Sequence, residues 1–285
     1  MFENELFAYT DMLEKFIDLQ EHANVKLQEQ YKKVKMYKES SEEILVLENV
    51  AKKGFIINSR MEVPSSIFFQ ISVKELAKFH ALSFVLKEKR PKYFNQKIKS
   101  IKYALFLKEG YARDSSRKAS VNAVDEIFKN KVEKAYDLLM DKFCKYHNDE
   151  SIKACLCHGD YRSCNIMMKL NENGIEEITP IDYQLMHYGN PVLDFLYLMY
   201  SGTDRKFRKD HLINLKELYY ETLRTFLKYF QLNVNVVYPR EDYDRVFDEK
   251  LDFGLMIAIY LLPFLLSSGK KSTRCYAERS SFKFK

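Results

Sequence analysis

The sequence predicts an α+β fold, mostly helical, with its strands confined to two short regions. Three observations carry that prediction. Apolar residues recur at spacings of three and four over long stretches, short strand-like runs cluster at 30–50 and 153–184, and Asn173-Gly174 separates two of those runs. At 285 residues and 46% hydrophobic content, the chain can bury a sizeable core.

Taken in order, FENELFAYTDMLEKFIDL spaces Phe2, Leu6, Tyr9, Leu13 and Phe16 as one face of an amphipathic helix. QYKKVKMYKE and EEILVLENV then read as a hairpin around Ser40 and Ser41, with AKKG as the next turn. The segment VKELAKFHALSFVLKEK places Val73, Leu76, Ala77, His80, Ala81 and Phe84 on one helical face that ends at Pro91. A second long helix is expected over Ala119 to Tyr146, with Ile127, Val132, Tyr136 and Leu139 inward. KACLCHGD, NIMMKL and EEITPIDYQ are the later strands, and helix returns at Pro191 with VLDFLYLMY. HLINLKELYYETLRTFLKYF continues it. FGLMIAIYLLPFLL, Phe253 to Leu266, is too short to span a bilayer and holds Pro263, so it reads as a buried helix. No repeat or linker divides the chain.

The net charge of +6 arises from 46 basic and 40 acidic residues without a basic block. That suits weak attraction for anionic ligands and falls short of a nucleic-acid stripe. No signal peptide is expected, and five cysteines without framework spacing fit reduced thiols in a cytoplasmic protein. Cys155, Cys157, His158 and Cys164 offer the ligand types of a zinc site. Cys155 and Cys157 share one face of a predicted strand, however, and read as core. Oligomeric state is not fixed by any of these features.

The stretch CHGDYRSCN, Cys157 to Asn165, carries the chemistry. Asp160 follows a strand, Asn165 opens the next, and Asp182 ends the strand that hairpins back. Turn geometry therefore brings the Asn and the second Asp to one end of a ribbon. Transfer of a phosphoryl group from a nucleotide needs a carboxylate to take the acceptor's hydroxyl proton and hard oxygen ligands for Mg2+. Asp160 suits the first role. Asn165 and Asp182 suit the second, because Mg2+ takes few protein ligands and completes its octahedron with phosphate and water. An isolated Asp after a strand is usually a turn residue or helix cap; the three in order around a hairpin point to a kinase-type catalytic loop.

LCHGDYRSCNIM and ITPIDYQLMHYGNPVLDFLYLMYS together resemble the insect ecdysteroid kinase-like family, also called CHK-kinase-like, related to choline kinases and aminoglycoside phosphotransferases. FENELFAYTDMLEKF, EILVLENV, ELAKFHALS and FGLMIAIYLLPFLL extend the resemblance over nearly the whole chain. It implies a protein-kinase-like two-lobed fold, with a truncated N-terminal lobe over 1–50 (helix, hairpin and hinge) and a mostly helical C-terminal lobe over 51–285. It also implies ATP-dependent phosphorylation of a hydroxyl on a small lipophilic molecule, such as an ecdysteroid or a xenobiotic. By motif match Asp160 is the base, Asn165 and Asp182 hold Mg2+, and Glu48 and Val50, just past Leu47, offer backbone groups to adenine. Glu5 is the helix Glu that orients a Lys. A choline- or aminoglycoside-type acceptor is the rival within the class.

Arg162 and Cys164 stand where the family more often has Trp and Asn, and Tyr183 where it more often has Phe; these changes bear on substrate and loop packing more than on the phosphate chemistry. Only four residues precede Glu5, and none of the eight glycines has another within four positions, so the glycine-rich phosphate cover and its Lys have no place in this sequence. Loss of such a charge contact weakens catalysis by several kcal/mol, judged by roughly 2.7–4 kcal/mol for one oxyanion donor. The expectation is either a fragment begun at an internal Met or a catalytically degenerate binding protein of the same fold. The EILVLENV strand is expected to expose an edge.

Among other residues, His80 reads as a satisfied core histidine and His158 as a structural loop residue. Asp194 has two readings, a carboxylate favoured by the helix dipole or a tie for the catalytic loop. Gln184 either bonds near the metal site or caps a strand end. The 20 Tyr and 21 Phe read as core, and YKKVKMYK as a solvated strand face.

Overall fold

Apolar spacing sets the helices of this chain, and short polar side chains set where several of them start. The computed structural model describes residues 1–59, 62–104, 111–147, 149 and 153–265. A continuous helical stretch opens it: α1 (Phe2–Phe7), a π-helical turn over Ala8–Met12 and α2 (Leu13–His22). Tyr9, Leu13 and Phe16 of the predicted face are buried, while Phe2 is exposed. The predicted hairpin follows, reduced to a single antiparallel bridge between Met36 and Leu47. Tyr37 N–H bonds Val46 O at 2.9 Å and Glu48 N–H bonds Lys35 O at 2.8 Å. Among the described residues neither arm joins a sheet, and two strands alone hold a ladder poorly.

β1 (Phe55–Ile57), which the sequence reading did not place, comes next. α3 (Ser66–Lys89) begins where Ser65 Oγ accepts the Phe68 N–H at 3.2 Å, and it stops before Pro91 as expected. Its whole predicted face, Val73 to Phe84, is buried. α4 (Pro91–Tyr93) and a π-helical turn over Phe94–Ile98 follow.

The single helix expected over 119–146 is instead two, α5 (Tyr111–Asn122) and α6 (Glu126–His147). Asn122, Val124 and Asp125 are weak helix formers in near succession. Breaking there lets the two helices fold back on each other, with Arg113 (3.0 Å) and Arg117 (2.6 Å) both paired to Asp137. Ile127, expected inward, is 76% exposed; the inner face is Tyr136, Met140, Phe143 and His147.

β2 (Cys155–Cys157) pairs antiparallel with β5 (His187–Gly189). β3 (Ile166–Asn171) and β4 (Gly174–Pro180) form the later hairpin, with β1 on the other edge of β3. Its two turn residues are Glu172 and Asn173, because Asn171 pairs with Gly174. Gly174 takes φ +116°, a conformation that explains the glycine beside the turn.

α7 (Pro191–Gly202) starts at Asn190, whose Oδ1 accepts the Val192 N–H at 2.8 Å, and α8 (Arg205–Leu227) is capped by Asp204 in the same way. α9 (Val234–Val237), α10 (Arg240–Glu249), α11 (Phe253–Tyr260) and α12 (Leu262–Leu265) complete the described chain. The helix expected from Phe253 to Leu266 is therefore two pieces, and Leu266 lies outside the described residues. No described helix is long and apolar enough to cross a membrane. α3 runs along α8, α7 lies across both β2 and α11, and their shared core carries the strands that present the polar residues.

Burial separates the two helical faces energetically. Leu76→Ala, in the core of α3, should lower stability by about 2–5 kcal/mol. Ile127→Ala should stay within about 0.5 kcal/mol. Urea unfolding of both variants checks the pair of values.

Candidate active site

The β3–β4 register delivers two of the three predicted residues to one place. Ile166 pairs with Pro180, and Ile181 N–H then bonds Asn165 O at 2.9 Å. Asn165 and Asp182 consequently emerge at the same end of the ribbon. Asp182 has φ +69°, a left-handed conformation uncommon for non-glycine residues and adopted by Asp more readily than by most. Its Oδ1 is buried with no hydrogen-bond partner among the described residues.

Asp160 stands beside them, and its two oxygens are both engaged. Oδ1 accepts the Tyr197 hydroxyl at 2.7 Å, and Oδ2 accepts the Asn165 carboxamide N–H at 2.9 Å. A second bond from Asn165 Nδ2 to Asp160 O, also 2.9 Å, fixes the amide. Arg162 Nε lies 3.1 Å from Oδ1. Burial raises the Asp160 pKa despite the opposing pull of Arg162 and Tyr197, and the nearby Asp182 charge adds to the rise. The three predicted residues thus share one electrostatic environment.

What holds Asp160 in place is a buried network built on Asp194. Its Oδ2 accepts the His158 backbone N–H at 2.6 Å, and its Oδ1 accepts that of Gly159 at 2.9 Å. His80 Nε2 meets Oδ2 at 3.1 Å, while His80 Nδ1 meets the Tyr219 hydroxyl at 2.7 Å. Burial opposes charge on His80, but Asp194 and Cys157 prevail and push its pKa up to about 9. Burial likewise opposes charge on Asp194, yet His80 holds it down to about 2. The pair is an imidazolium and a carboxylate. His158 is kept neutral by burial; its Nε2–H donates to Ile181 O at 3.1 Å, linking the loop to the strand before Asp182. Of the two readings of Asp194, the tie to the loop is the one its contacts support. His80 and His158 are structural, as expected.

Glu5 reaches the same site from α1. It accepts the Tyr183 backbone N–H, and burial together with the Asp182 charge raises its pKa. Among the described residues it has no cationic partner. The hinge differs from expectation in one respect: the Glu48 carbonyl and Val50 N–H, expected to face adenine, bond each other at 3.0 Å, while Leu47 sits opposite Met36 as a bridge pair whose bonds are made by the flanking residues. Gln184 contributes its backbone oxygen to Asn4 Nδ2 at 3.3 Å.

Sequence reasoning missed Tyr197 and the pairing of Arg162 with Asp160. The signal for Tyr197 is its spacing of three from Asp194 on α7, which puts both side chains on the face beneath the loop. His80, Cys155 and Cys157 offer ligand atoms within 4.8 Å of one another, but both ring nitrogens of His80 are already engaged. The hard donor set at Asn165 and Asp182 fits Mg2+ better: among the described residues one Asp182 oxygen lacks a partner, and Asn165 Oδ1 meets only the Cys164 thiol, at 3.9 Å.

Residues 1–232 match the ecdysteroid kinase-like family. The chain belongs to that family. Membership brings the two-lobed, largely helical, protein-kinase-like fold and a phosphotransferase-type activity class. No curated protein matches this family member. Solved structures similar to it include an amicoumacin kinase, at 14% identity and TM-score 0.43, covering 87% of this chain and 67% of that one. A putative aminoglycoside phosphotransferase from Ralstonia eutropha gives 14%, 0.41, 87% and 82%. Plasmodium vivax ethanolamine kinase gives 13%, 0.40, 87% and 72%. All three TM-scores lie below 0.5, so the functional reading rests on the family match and the site geometry.

Gly159 has φ +80°, and a Cβ there would meet Leu185 O at 2.0 Å. Gly159→Ala should therefore cost more than about 1 kcal/mol and displace the loop, checked by thermal denaturation and nucleotide binding. His80 titrates in the folded chain near 9 against an ordinary 6.5, so its stabilisation is complete below pH 6.5 and lost as pH rises through 9. Tm should fall across that interval, and His80→Gln should flatten the dependence.

Proposed function

We propose that this chain transfers the terminal phosphoryl group of ATP to a hydroxyl of a small lipophilic molecule, ecdysteroid-like or xenobiotic. One observation carries the reading. The register of β3 and β4 puts Asn165 and Asp182 beside Asp160, and the Asp182 carboxylate keeps a buried oxygen unpartnered. The lipophilic acceptor follows the family's name.

In this reading the acceptor oxygen forms a bond to the terminal phosphorus as the bond from that phosphorus to the β-phosphate oxygen breaks. ADP leaves with the bonding pair, and the acceptor's proton passes to Asp160. Tyr197 and Asn165 aim the Asp160 carboxylate, and its raised proton affinity suits a general base. Asn165 Oδ1 and Asp182 would hold Mg2+, which when bound neutralises charge on the phosphates. Leu47, Glu48 and Val50 form the adenine edge, where Glu48 and Val50 exchange their mutual bond for bonds to the base. Met1 to Val50 then act as the small lobe and the remainder as the large one. Glu5 buttresses the turn after Asp182 through Tyr183.

A second reading, a binding protein that retains the fold without transfer, is favoured by the lack of a cationic partner for Glu5 among the described residues. Calorimetry separates the two. Mg2+-dependent ATP binding should weaken about tenfold or more in Asp182→Ala, since a charged metal ligand is lost. Asp160→Asn should keep nucleotide affinity and lose on the order of 100-fold or more in turnover, the range for a general base. Equal ATP affinity in wild type and Asp182→Ala counts against the metal assignment. Tight ATP binding with no turnover, whatever the acceptor, supports the binding protein.

A further inference from the structure

From the sequence Arg162 bears on substrate and loop packing more than on the phosphate chemistry, but its surroundings point to the phosphate chemistry itself. Its backbone is pinned between the proposed base and the metal-side amide: its N–H donates to Asp160 O at 3.0 Å, and its carbonyl accepts the Asn165 N–H at 2.8 Å. The side chain is 23% exposed. Tyr197 and Asn165 donate to the two carboxylate oxygens of Asp160, so Arg162 adds charge there without being needed to fill a hydrogen-bond position. Arg162 Nε approaches Asp160 Oδ1 at 3.1 Å off the hydrogen-bonding direction and has no aligned acceptor. Among the described residues neither terminal NH2 group has a partner.

The Asp160 charge offsets the desolvation of this largely covered guanidinium, but its terminal edge keeps its hydrogen-bonding capacity free for a ligand. The cation also faces Asp182 as well as Asp160. Its planar fork is the shape that binds two oxygens of one phosphate in parallel, which a point charge cannot do. Resting on the phosphotransferase reading, we propose that Arg162 is a catalytic residue of the transfer: its guanidinium edge grips two non-bridging oxygens of the terminal phosphoryl group. Arg162 stays protonated throughout and neither makes nor breaks a covalent bond. It shifts from Asp160 to the phosphoryl group as the nucleotide arrives, and it holds that group while the acceptor oxygen bonds to phosphorus and ADP departs.

The contact is specific to the third phosphate, so comparing ATP with ADP tests it. Calorimetric titration of MgATP and MgADP into wild type, Arg162→Met, Arg162→Lys and Asp182→Ala, each checked for an unchanged Tm, provides the readout. Arg162→Met should weaken ATP about tenfold or more, the loss of a bidentate charged contact, and leave ADP unchanged. Arg162→Lys should recover part of the difference. ATP hydrolysis with water as acceptor should fall on the order of 100-fold in kcat for Arg162→Met. If Arg162→Met keeps the wild-type ratio of ATP to ADP affinity, or weakens both alike as a structural residue would, the proposal is overturned. That failure is distinct from failure of the underlying reading, in which wild type itself binds neither nucleotide and the Arg162 role falls with it.

Discussion

The loop from His158 to Asn165 depends on one buried carboxylate accepting two consecutive backbone N–H groups. Asp194 supplies it from the first turn of α7, and the bonds to His158 and Gly159 leave that stretch little freedom to rotate. Hydrogen bonds to a charged acceptor contribute about 1.5–3 kcal/mol each, but a buried carboxylate is costly unless its charge is balanced. His80 provides the balance from α3, and Tyr219 of α8 completes it by engaging the other ring nitrogen. Three helices therefore converge on one loop. The glycine at 159 is required because the same convergence presses Leu185 O against it.

From that anchor the polar residues follow by short steps. Asp160 is the next residue along, and Tyr197, one turn beyond Asp194, donates to it from the same helix face. Asn165 closes the loop by bonding back to Asp160 twice. The β3–β4 register then returns the chain to Asp182, whose left-handed backbone and unpartnered oxygen mark a site with a stored cost. Glu5 adds a third carboxylate through the Tyr183 backbone. The result concentrates negative charge beside the Arg162 guanidinium.

Long periodic segments were the most legible part of the sequence. The face of α3 from Val73 to Phe84 and the buried positions of the N-terminal helix matched their spacing, because apolar burial and helical geometry act on the same residues. The errors fell where local preference competes with packing. The break between α5 and α6 follows from how the two helices pair through Asp137, and Ile127 faces solvent against its hydrophobicity. The first hairpin shrank to one bridge for want of a third strand among the described residues, and β1 was too short to register as a pattern.

By itself the sequence determined the α+β class, the order Asp160, Asn165, Asp182 around a hairpin, and the family to which the chain belongs. These are properties of spacing and residue type, which local geometry converts directly into structure. Only the tertiary structure decided that Asp194 ties the loop, that His80 carries a charge in the core, and that Tyr197 and Arg162 converge on Asp160. Apart from the Arg162 contact, which is local, they join residues dozens of positions apart. Their existence depends on how α3, α7 and α8 pack, and no local pattern encodes that distance.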